Sequence, residues 1–263
     1  MTTAAPMSVT PTEQSNTPSR ADAEDADLKD SLADLARLAT GLMSLPAMLT
    51  QVAAFAVRAI PGADGAGLTL LQEGKPDTIV STADFVREVD DIQYGIGEGP
   101  CITAAAEGRT VRSGSLGEDL LWPLFGPRVG RLGVHSALSL PLLVPAGVLG
   151  AMNIYARAPH AFDDRAAELG ELFAVPAAIS VQNAQVLNQA LLLAAQLETA
   201  LKSRAAIDYA LGIVMSRTGC SPDEAFAKLR TISQNENRKL SVVASLTVDE
   251  AVRRARARRH TDH

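Results

Sequence analysis

Cys101 is the one residue in the first two thirds of the sequence with an evidently reactive side chain, because a thiolate can act as a nucleophile, a metal ligand or a redox centre. It follows Pro100, a residue favoured at the first position of a helix. A helix N-terminus stabilises a thiolate, so a redox sensor is one interpretation. The other is a small buried apolar side chain, which free cysteine usually is, and we favour that one. Cys220 is distant in the sequence, so we expect no disulfide.

Three alternating glycines precede this cysteine, Gly95, Gly97 and Gly99. Their spacing is compatible with a phosphate-binding loop, but no Lys-Ser or Lys-Thr pair follows them. Pro100 also lacks the backbone N–H that such a loop would offer to a phosphate. We therefore interpret the glycines as backbone turns that lead into a helix.

The other candidate ligand contacts are isolated residues. His135 precedes a long apolar segment and is a candidate for a haem or ligand contact, although a lone histidine is more often structural. Trp122, the only tryptophan, either lines a pocket or packs in the core. We find no carboxylate pair, catalytic triad or metal-ligand cluster in the sequence, so we predict neither an enzyme nor a metal site. Four residues remain as ligand-sensing candidates: Tyr94, Cys101, Trp122 and His135.

Charge is distributed unevenly along the chain. Residues 200–263 contain 12 Lys and Arg against 7 Asp and Glu, whereas the rest of the chain contains 12 against 23. A basic segment on an acidic protein is the pattern expected where one end meets a nucleic-acid backbone. The five arginines between Arg253 and Arg259 either add to this surface or form a solvated helix end.

Three amphipathic helices can be drawn through this basic segment. Apolar residues recur at helical spacing from Ile207 to Met215. Ser221, Pro222 and Glu224 have the spacing of a capped helix start, and the stripe that follows runs to Ile232. Asn235 and Asn237 interrupt it before a third stripe begins at Leu240.

This segment resembles the ANTAR domain, a small helical bundle that binds RNA in transcription antiterminators. The resemblance is carried by Arg204, Ile207, Ala210, Gly212, Met215, Ala225, Leu229, Ser233, Asn237, Lys239, Leu240 and Ala244. Leu211 stands where family members commonly carry Lys, a departure that leaves one possible phosphate contact open. The resemblance implies that the chain binds a structured leader RNA containing a pair of short stem-loops. The candidate RNA contacts are Arg204, Arg217, Lys228, Arg230, Arg238 and Lys239.

The preceding region has the pattern of an α+β sandwich. Residues 31–60 are predicted to be helical with a break at Pro46, and 66–72 and 78–81 to be strands around a turn. Val111 and Arg112 are a short strand candidate. Residues 135–156 contain no charged side chain, but their prolines and glycines predict a β-hairpin of 137–144 and 148–156, not a membrane helix. A long helix is predicted from Arg165.

This region resembles a GAF domain. The resemblance is carried by the residues 93–101 (QYGIGEGPC), 122–123 (WP), 136–142 (SALSLPL), 150–155 (GAMNIY) and 161–163 (AFD). It implies the sandwich fold but assigns no ligand or cofactor, because GAF domains bind cyclic nucleotides, haem, chromophores, amino-acid-like molecules or no known ligand; a small-molecule ligand is therefore one alternative. Leu121 replaces the Arg often found before the tryptophan. An enzymatic alternative is a GAF-type sulfoxide reductase using Cys101, which would need a resolving cysteine nearby.

The helix between these regions has an apolar stripe close to the heptad period. Its members after Gln182 have no sheet of their own to cover, so the stripe favours a parallel homodimer through this connecting helix. Leu187, Leu191, Ala194, Leu197 and Leu201 form this part of it.

We therefore predict an α+β GAF sandwich, a long connecting helix and an all-α three-helix bundle. The boundaries are a disordered tail at 1–30, GAF at 31–185, connecting coiled coil at 186–201, ANTAR at 202–252 and a basic tail at 253–263. The first 27 residues have little apolar content and no secretory signal, and the cysteines are few, which favours a cytoplasmic protein without membrane contact.

The expected function is signal-responsive transcription antitermination, in which the GAF domain senses and the ANTAR domain binds RNA. Two alternatives come from other classes. One is a protein-interaction module with an incidental basic tail. The other is the redox-active GAF protein that uses Cys101.

Overall fold

A computed structural model describes residues 19–38, 43–72 and 75–261, except for the side chains of 76–79 and 259–261. The chain forms two compact units, Met1–Asn188 and Gln189–His263. None of the described helices combines the length and the apolarity that a membrane span requires.

The first unit is built on an antiparallel five-stranded sheet with the order β2-β1-β5-β4-β3. This arrangement confirms the predicted α+β sandwich. Its strands are β1 (Gly65–Gln72), β2 (Lys75–Ser81), β3 (Val111–Ser113), β4 (Ser136–Val144) and β5 (Gly147–Ala156). The helices are α1 (Arg20–Arg37), α2 (Leu45–Ala59), α3 (Asp84–Ile96), α4 (Pro100–Glu107), α5 (Gly126–Gly130) and the beginning of α6 (Asp164–Thr218).

The two faces of the sheet differ in chemistry because side chains alternate along each strand. On β4 and β5, the leucines at 138, 140 and 142, together with Met152 and Ile154, pack with α1, α2 and α6. The intervening residues include Ser139, Asn153 and Tyr155 and face α3, α4 and α5. Both faces are covered, which explains why the hairpin contains no charged residue. The pairing of β4 with β5 confirms the predicted hairpin.

Helix α1 corrects the predicted N-terminal tail. Residues 20–30 were expected to be disordered, but they belong to a helix whose start is capped reciprocally by Ser19 and Asp22. Leu28 and Leu35 are buried against α2, so the segment supplies the apolar contacts that its composition did not suggest. The rest of the predicted tail, residues 1–18, lies outside the described residues. Pro46 lies in the first turn of α2, where its missing N–H costs no hydrogen bond.

Helix α6 is longer than predicted. It continues as one element of 55 residues through the region where separate connecting and bundle helices were expected. The second unit adds α7 (Pro222–Asn235) and α8 (Leu240–Thr261). The predicted cap of α7 is present, since Ser221 and Glu224 form a reciprocal capping box. Residues 253–261, expected to be a tail, form the last turns of α8.

The core of the second unit consists of small and aliphatic side chains. Ala210 of α6, Leu229 of α7, and Val243 and Ala244 of α8 are buried together. The turns use residues that tolerate positive φ: Gly219 after α6 has φ +66°, and Asn237 between α7 and α8 has φ +51°.

Candidate functional site

A cavity of about 390 Å³ opens on the polar side of the sheet, between β1, β5 and the α3–α4 segment. This volume is in the range of small-molecule sites. Its polar lining residues are Thr69, Tyr94 and Cys101. The remaining lining residues are Leu71, Gly97, Ile102, Ala105, Ala106 and Ala151. Since none of these nine residues carries a charge, the cavity suits an uncharged ligand.

Tyr94 and Cys101 lie together at the wall of this cavity. The Tyr94 hydroxyl oxygen is 3.0 Å from the Cys101 Sγ. The Cys101 N–H donates to the Gln93 Oε1 over 2.9 Å, which joins the end of α3 to the start of α4. Gly99 makes this approach possible, because a Cβ there would lie 2.3 Å from the same oxygen and its φ is +149°. The glycine segment is therefore a tight turn, as predicted.

The environment of Cys101 opposes a reactive thiolate. Burial raises the pKa of the Cys101 thiol to about 12, although the residue is in the first turn of α4. Desolvation of the anion thus outweighs the helix terminus. Cys220, the other cysteine, belongs to the second unit. These observations weaken the redox interpretation and favour the structural one.

Asp90, on α3, lies at the centre of a polar network on the same face of the sheet as the cavity. Its Oδ1 accepts from the Tyr155 hydroxyl over 2.8 Å and from the Asn153 Nδ2 over 3.2 Å. The Ser139 hydroxyl donates to the Asn153 Oδ1 over 3.0 Å. Burial raises the pKa of Asp90 to about 7, against the opposing effect of these hydrogen bonds. The sequence analysis did not identify this residue.

Trp122 and His135 lie outside the cavity lining. Trp122 is buried in the core between the sheet and α5, and its Nε1 donates to the Thr103 Oγ1 over 3.1 Å. His135 is half-buried, and its backbone pairs with Ala156 and Leu116. Of the four ligand-sensing candidates, the structure brings only Tyr94 and Cys101 together.

Thr69 adds a polar atom that the sequence did not single out. It is on β1, is 1 % exposed, and lines the cavity. Its Oγ1 is buried and makes no hydrogen bond of full geometry among the described residues, although it lies close enough to the Tyr94 hydroxyl to influence the pKa of that group. A buried hydroxyl normally finds a partner, so this oxygen is a candidate contact for a bound molecule.

The basic candidates are exposed and lie on α6, on α7 and in the turn before α8: Arg204, Arg217, Lys228, Arg230, Arg238 and Lys239. Two of them have polar neighbours. Arg238 forms an ion pair with Glu236 at 3.3 Å, and the Lys228 Nζ is 3.4 Å from the Thr218 hydroxyl.

Two acidic groups of this unit are engaged by local partners. Glu224 accepts from the backbone and the hydroxyl of Ser221, which lowers its pKa. Glu250 pairs with Arg253 and Arg254, which lowers its pKa as well. The exposed cations Arg204, Arg217, Arg230 and Lys239 have no ion-pair partner in the described part of the chain. Positive charge is thus left available to solvent on this unit.

Within residues 19–38, 43–72 and 75–261, no cluster of His, Cys, Asp and Glu side chains has the composition of a metal site. The two units therefore offer different chemistry: an uncharged cavity on the first and exposed cations on the second.

Comparison with known proteins assigns both units. A family model described as the GAF domain matches residues 43–182, and one described as the ANTAR domain matches residues 195–254. No curated protein matches the chain.

Solved structures with low identity resemble the first unit. The GAF domain of a phosphoenolpyruvate-protein phosphotransferase from Coxiella burnetii is 16% identical, with a TM-score of 0.49, over 62% of this chain and 98% of that chain. A free methionine-R-sulfoxide reductase from Neisseria meningitidis is 16% identical, with a TM-score of 0.49, over 65% and 95%. The fRMsr of Staphylococcus aureus in complex with substrate is 17% identical, with a TM-score of 0.44, over 63% and 97%. From the family matches, the chain belongs to the GAF domain family and has the GAF–ANTAR architecture.

Proposed function

We propose that this protein is a signal-responsive regulator of transcription antitermination, in which the ANTAR unit binds stem-loops of a leader RNA. The observation that carries the proposal is the set of exposed cations on a unit that matches the ANTAR family. Lys and Arg neutralise phosphates, and unpaired loop bases are accessible for recognition.

Such a regulator needs no catalytic residue. A leader RNA that can form either a terminator hairpin or an alternative structure is an equilibrium between two states. A protein that binds one of them more tightly shifts the population by its differential affinity alone. Binding of the stem-loop form therefore prevents the terminator hairpin from forming.

The signal in this proposal is a small, uncharged molecule in the GAF cavity. Tyr94, Cys101 and Thr69 supply the polar contacts, and the alanines of α4 and β5 supply apolar surface. A phosphate or carboxylate group would meet no cationic partner among the lining residues, which argues against charged ligands.

We also propose a homodimer through α6. The exposed fractions of Leu191, Leu197 and Leu201 are 55%, 56% and 69%, as expected for a stripe without an intramolecular partner. Pairing two copies would bury this stripe and present two RNA-binding units to an RNA with two stem-loops.

The central experiment measures RNA binding by the full chain as a function of salt. The probe is a pool of RNA hairpins with a fixed stem and a randomised ten-nucleotide loop. Replacing Arg204 and Lys239 by Gln should weaken binding. It should also make the negative slope of log K against log salt shallower by about 2, because each lost phosphate contact contributes about 1.

The matched control replaces Arg128 and Arg131 by Gln. Both are exposed arginines of the first unit, so the change in net charge is the same. This variant should bind the pool as the unmodified protein does. Absence of salt-dependent binding in the unmodified protein would favour the protein-interaction alternative. Equal losses in both variants would mean that only net charge matters.

A further inference from the structure

An open groove of about 560 Å³ lies on the second unit, between α6 and α8. One face of α6 contributes most of it, since its residues recur three and four positions apart. Its lining residues are Asp208, Tyr209, Gly212, Ile213, Ser216 and Arg217 on α6 and Ala251 on α8. The groove therefore combines an aromatic ring, an anionic acceptor and a guanidinium with the small residues Gly212, Ser216 and Ala251 and the aliphatic side chain of Ile213.

Tyr209 is 66% exposed, although tyrosine has a large apolar ring. It lies one residue before the buried Ala210 and is not part of the core of the unit. Packing therefore does not account for an aromatic residue at this position. An exposed ring at the edge of a groove is a stacking surface for a planar group.

Gly212 is not required by the fold either. It has helical geometry in the interior of α6, where glycine destabilises a helix relative to alanine. A Cβ at this position would meet no atom within 4 Å, so no neighbour excludes a side chain. The absence of a side chain keeps the floor of the groove at the level of the backbone beside Tyr209, and this is an advantage only if another molecule enters.

We infer that this groove binds one unpaired RNA base, which stacks on Tyr209 over the flat floor at Gly212. The Asp208 carboxylate is an acceptor for an amino or imino N–H of the base. Arg217, eight residues beyond Tyr209 and about 12 Å along the helix axis, binds a phosphate of the same loop. The inference rests on the proposed RNA binding and adds a site that distinguishes loop sequences.

The experiment uses the full chain and the same pool of hairpins, with sequencing of the bound fraction. The unmodified protein is expected to enrich particular loop sequences. Tyr209→Phe keeps the ring and should enrich the same loops. Tyr209→Ala should bind the enriched loops about tenfold more weakly, because a stacked base is lost, while it keeps salt-dependent binding of unselected hairpins.

Two further variants separate this role from a structural one. Gly212→Ala should raise or preserve thermal stability, because alanine favours the helix, but it should lose the loop preference as Tyr209→Ala does. Asp208→Asn should change which base is enriched, because the amide offers donors as well as an acceptor. Val242→Ala removes part of an exposed α8 side chain that does not line the groove, and it should behave like the unmodified protein.

The outcomes distinguish the two levels of the proposal. If the unmodified protein enriches loops and Tyr209→Ala and Gly212→Ala enrich them equally well, the groove is not a base site and the inference is wrong. If the unmodified protein binds no hairpin at low salt, RNA binding itself is wrong, and the base site fails with it.

Discussion

At the scale of single residues, Asp90 places a carboxyl group where its ionised form is poorly solvated. Its Oδ2 has no hydrogen-bond partner among the described residues, and a Cβ on Gly67 would lie 2.4 Å from that oxygen. Burial raises the pKa of Asp90 to about 7, so its protonated form is favoured in the folded protein below that pH. The charge state of the buried network therefore changes near neutral pH.

The raised pKa predicts how stability depends on pH. In the unfolded chain Asp90 ionises near pH 3.9, whereas in the folded protein it stays protonated up to about 7. Its contribution to folding is thus complete below pH 4 and is lost as the pH rises to about 7, by up to about 1.4 kcal/mol per pH unit. Asp90→Asn, which cannot ionise, should lack this loss.

Urea unfolding of both proteins between pH 4 and 8, followed by the fluorescence of Trp122, measures this difference. Trp122 is buried in the same unit as Asp90, so its signal reports the relevant transition. All other titrating groups are common to both proteins and cancel in the comparison. Parallel stability curves for the two proteins would show that Asp90 ionises normally in the fold.

Asp90 also shows what sequence patterns miss at this scale. Val86, Val89, Asp90 and Gln93 have the i, i+3, i+4, i+7 spacing of a buried helix face, and all four are buried. A charged residue on such a stripe was the available signal, but the analysis of motifs concentrated on Tyr94 and Cys101. Thr69 had no comparable signal, because a threonine within a strand is ordinary.

At the scale of elements, α6 has two opposite faces within the first unit. Leu169, Phe173 and Val181 are buried completely in the core. Leu172 and Val175, on the other side of the same turns, are more than half exposed. The exposed apolar side therefore begins before Gln182. For that part of the helix the sequence analysis expected only packing against the sheet of the same domain. The surface available for pairing is longer than the sequence analysis predicted.

Charged replacements on this helix test the proposed dimer. Leu191→Glu with Leu197→Glu should give a monomer with an intact GAF unit, because each buried leucine contributes about 1.5–3 kcal/mol and the new charges repel across the seam. Sedimentation at micromolar concentration measures the mass. The matched control, Leu120→Glu with Leu121→Glu, alters two exposed leucines outside the helix and should remain dimeric. An unmodified protein that sediments as a monomer would contradict the proposal.

The elements that the sequence predicted well are those with strong local signals. The hairpin follows from its glycines, prolines and alternating pattern, and the start of α7 follows from Ser221 and Glu224. The first part of α1, residues 20–30, was missed because its acidic, alanine-rich composition resembles a disordered segment. The stability of α1 comes from Leu28 and Leu35 packing on α2, which is a tertiary contact.

At the scale of the whole molecule, charge is separated between the two units. Residues 187–263 carry 12 basic and 8 acidic side chains, although the full chain has a net charge of −6. This fragment should therefore bind hairpin RNA at least as tightly as the full chain at low salt, since it lacks the acidic unit. The difference should shrink as salt screens long-range repulsion.

Fluorescence anisotropy of a labelled hairpin, titrated at several salt concentrations, measures both affinities. A fragment with helical circular dichroism that binds no RNA at low salt, while the full chain binds, would place essential contacts on the first unit. The candidate contacts on α6, on α7 and in the turn before α8 would then be insufficient for binding.

The unbroken course of α6 has a consequence for how this chain can change in length. An insertion of two residues between Gln189 and Leu201 turns everything beyond it by about 200°, which moves the following leucines to the opposite side of the helix. Seven inserted residues restore the original side to within about 20°. Evolution can therefore lengthen this segment in steps of seven more readily than in steps of two. Among GAF–ANTAR proteins that pair through this helix, we expect segment lengths to differ by multiples of seven.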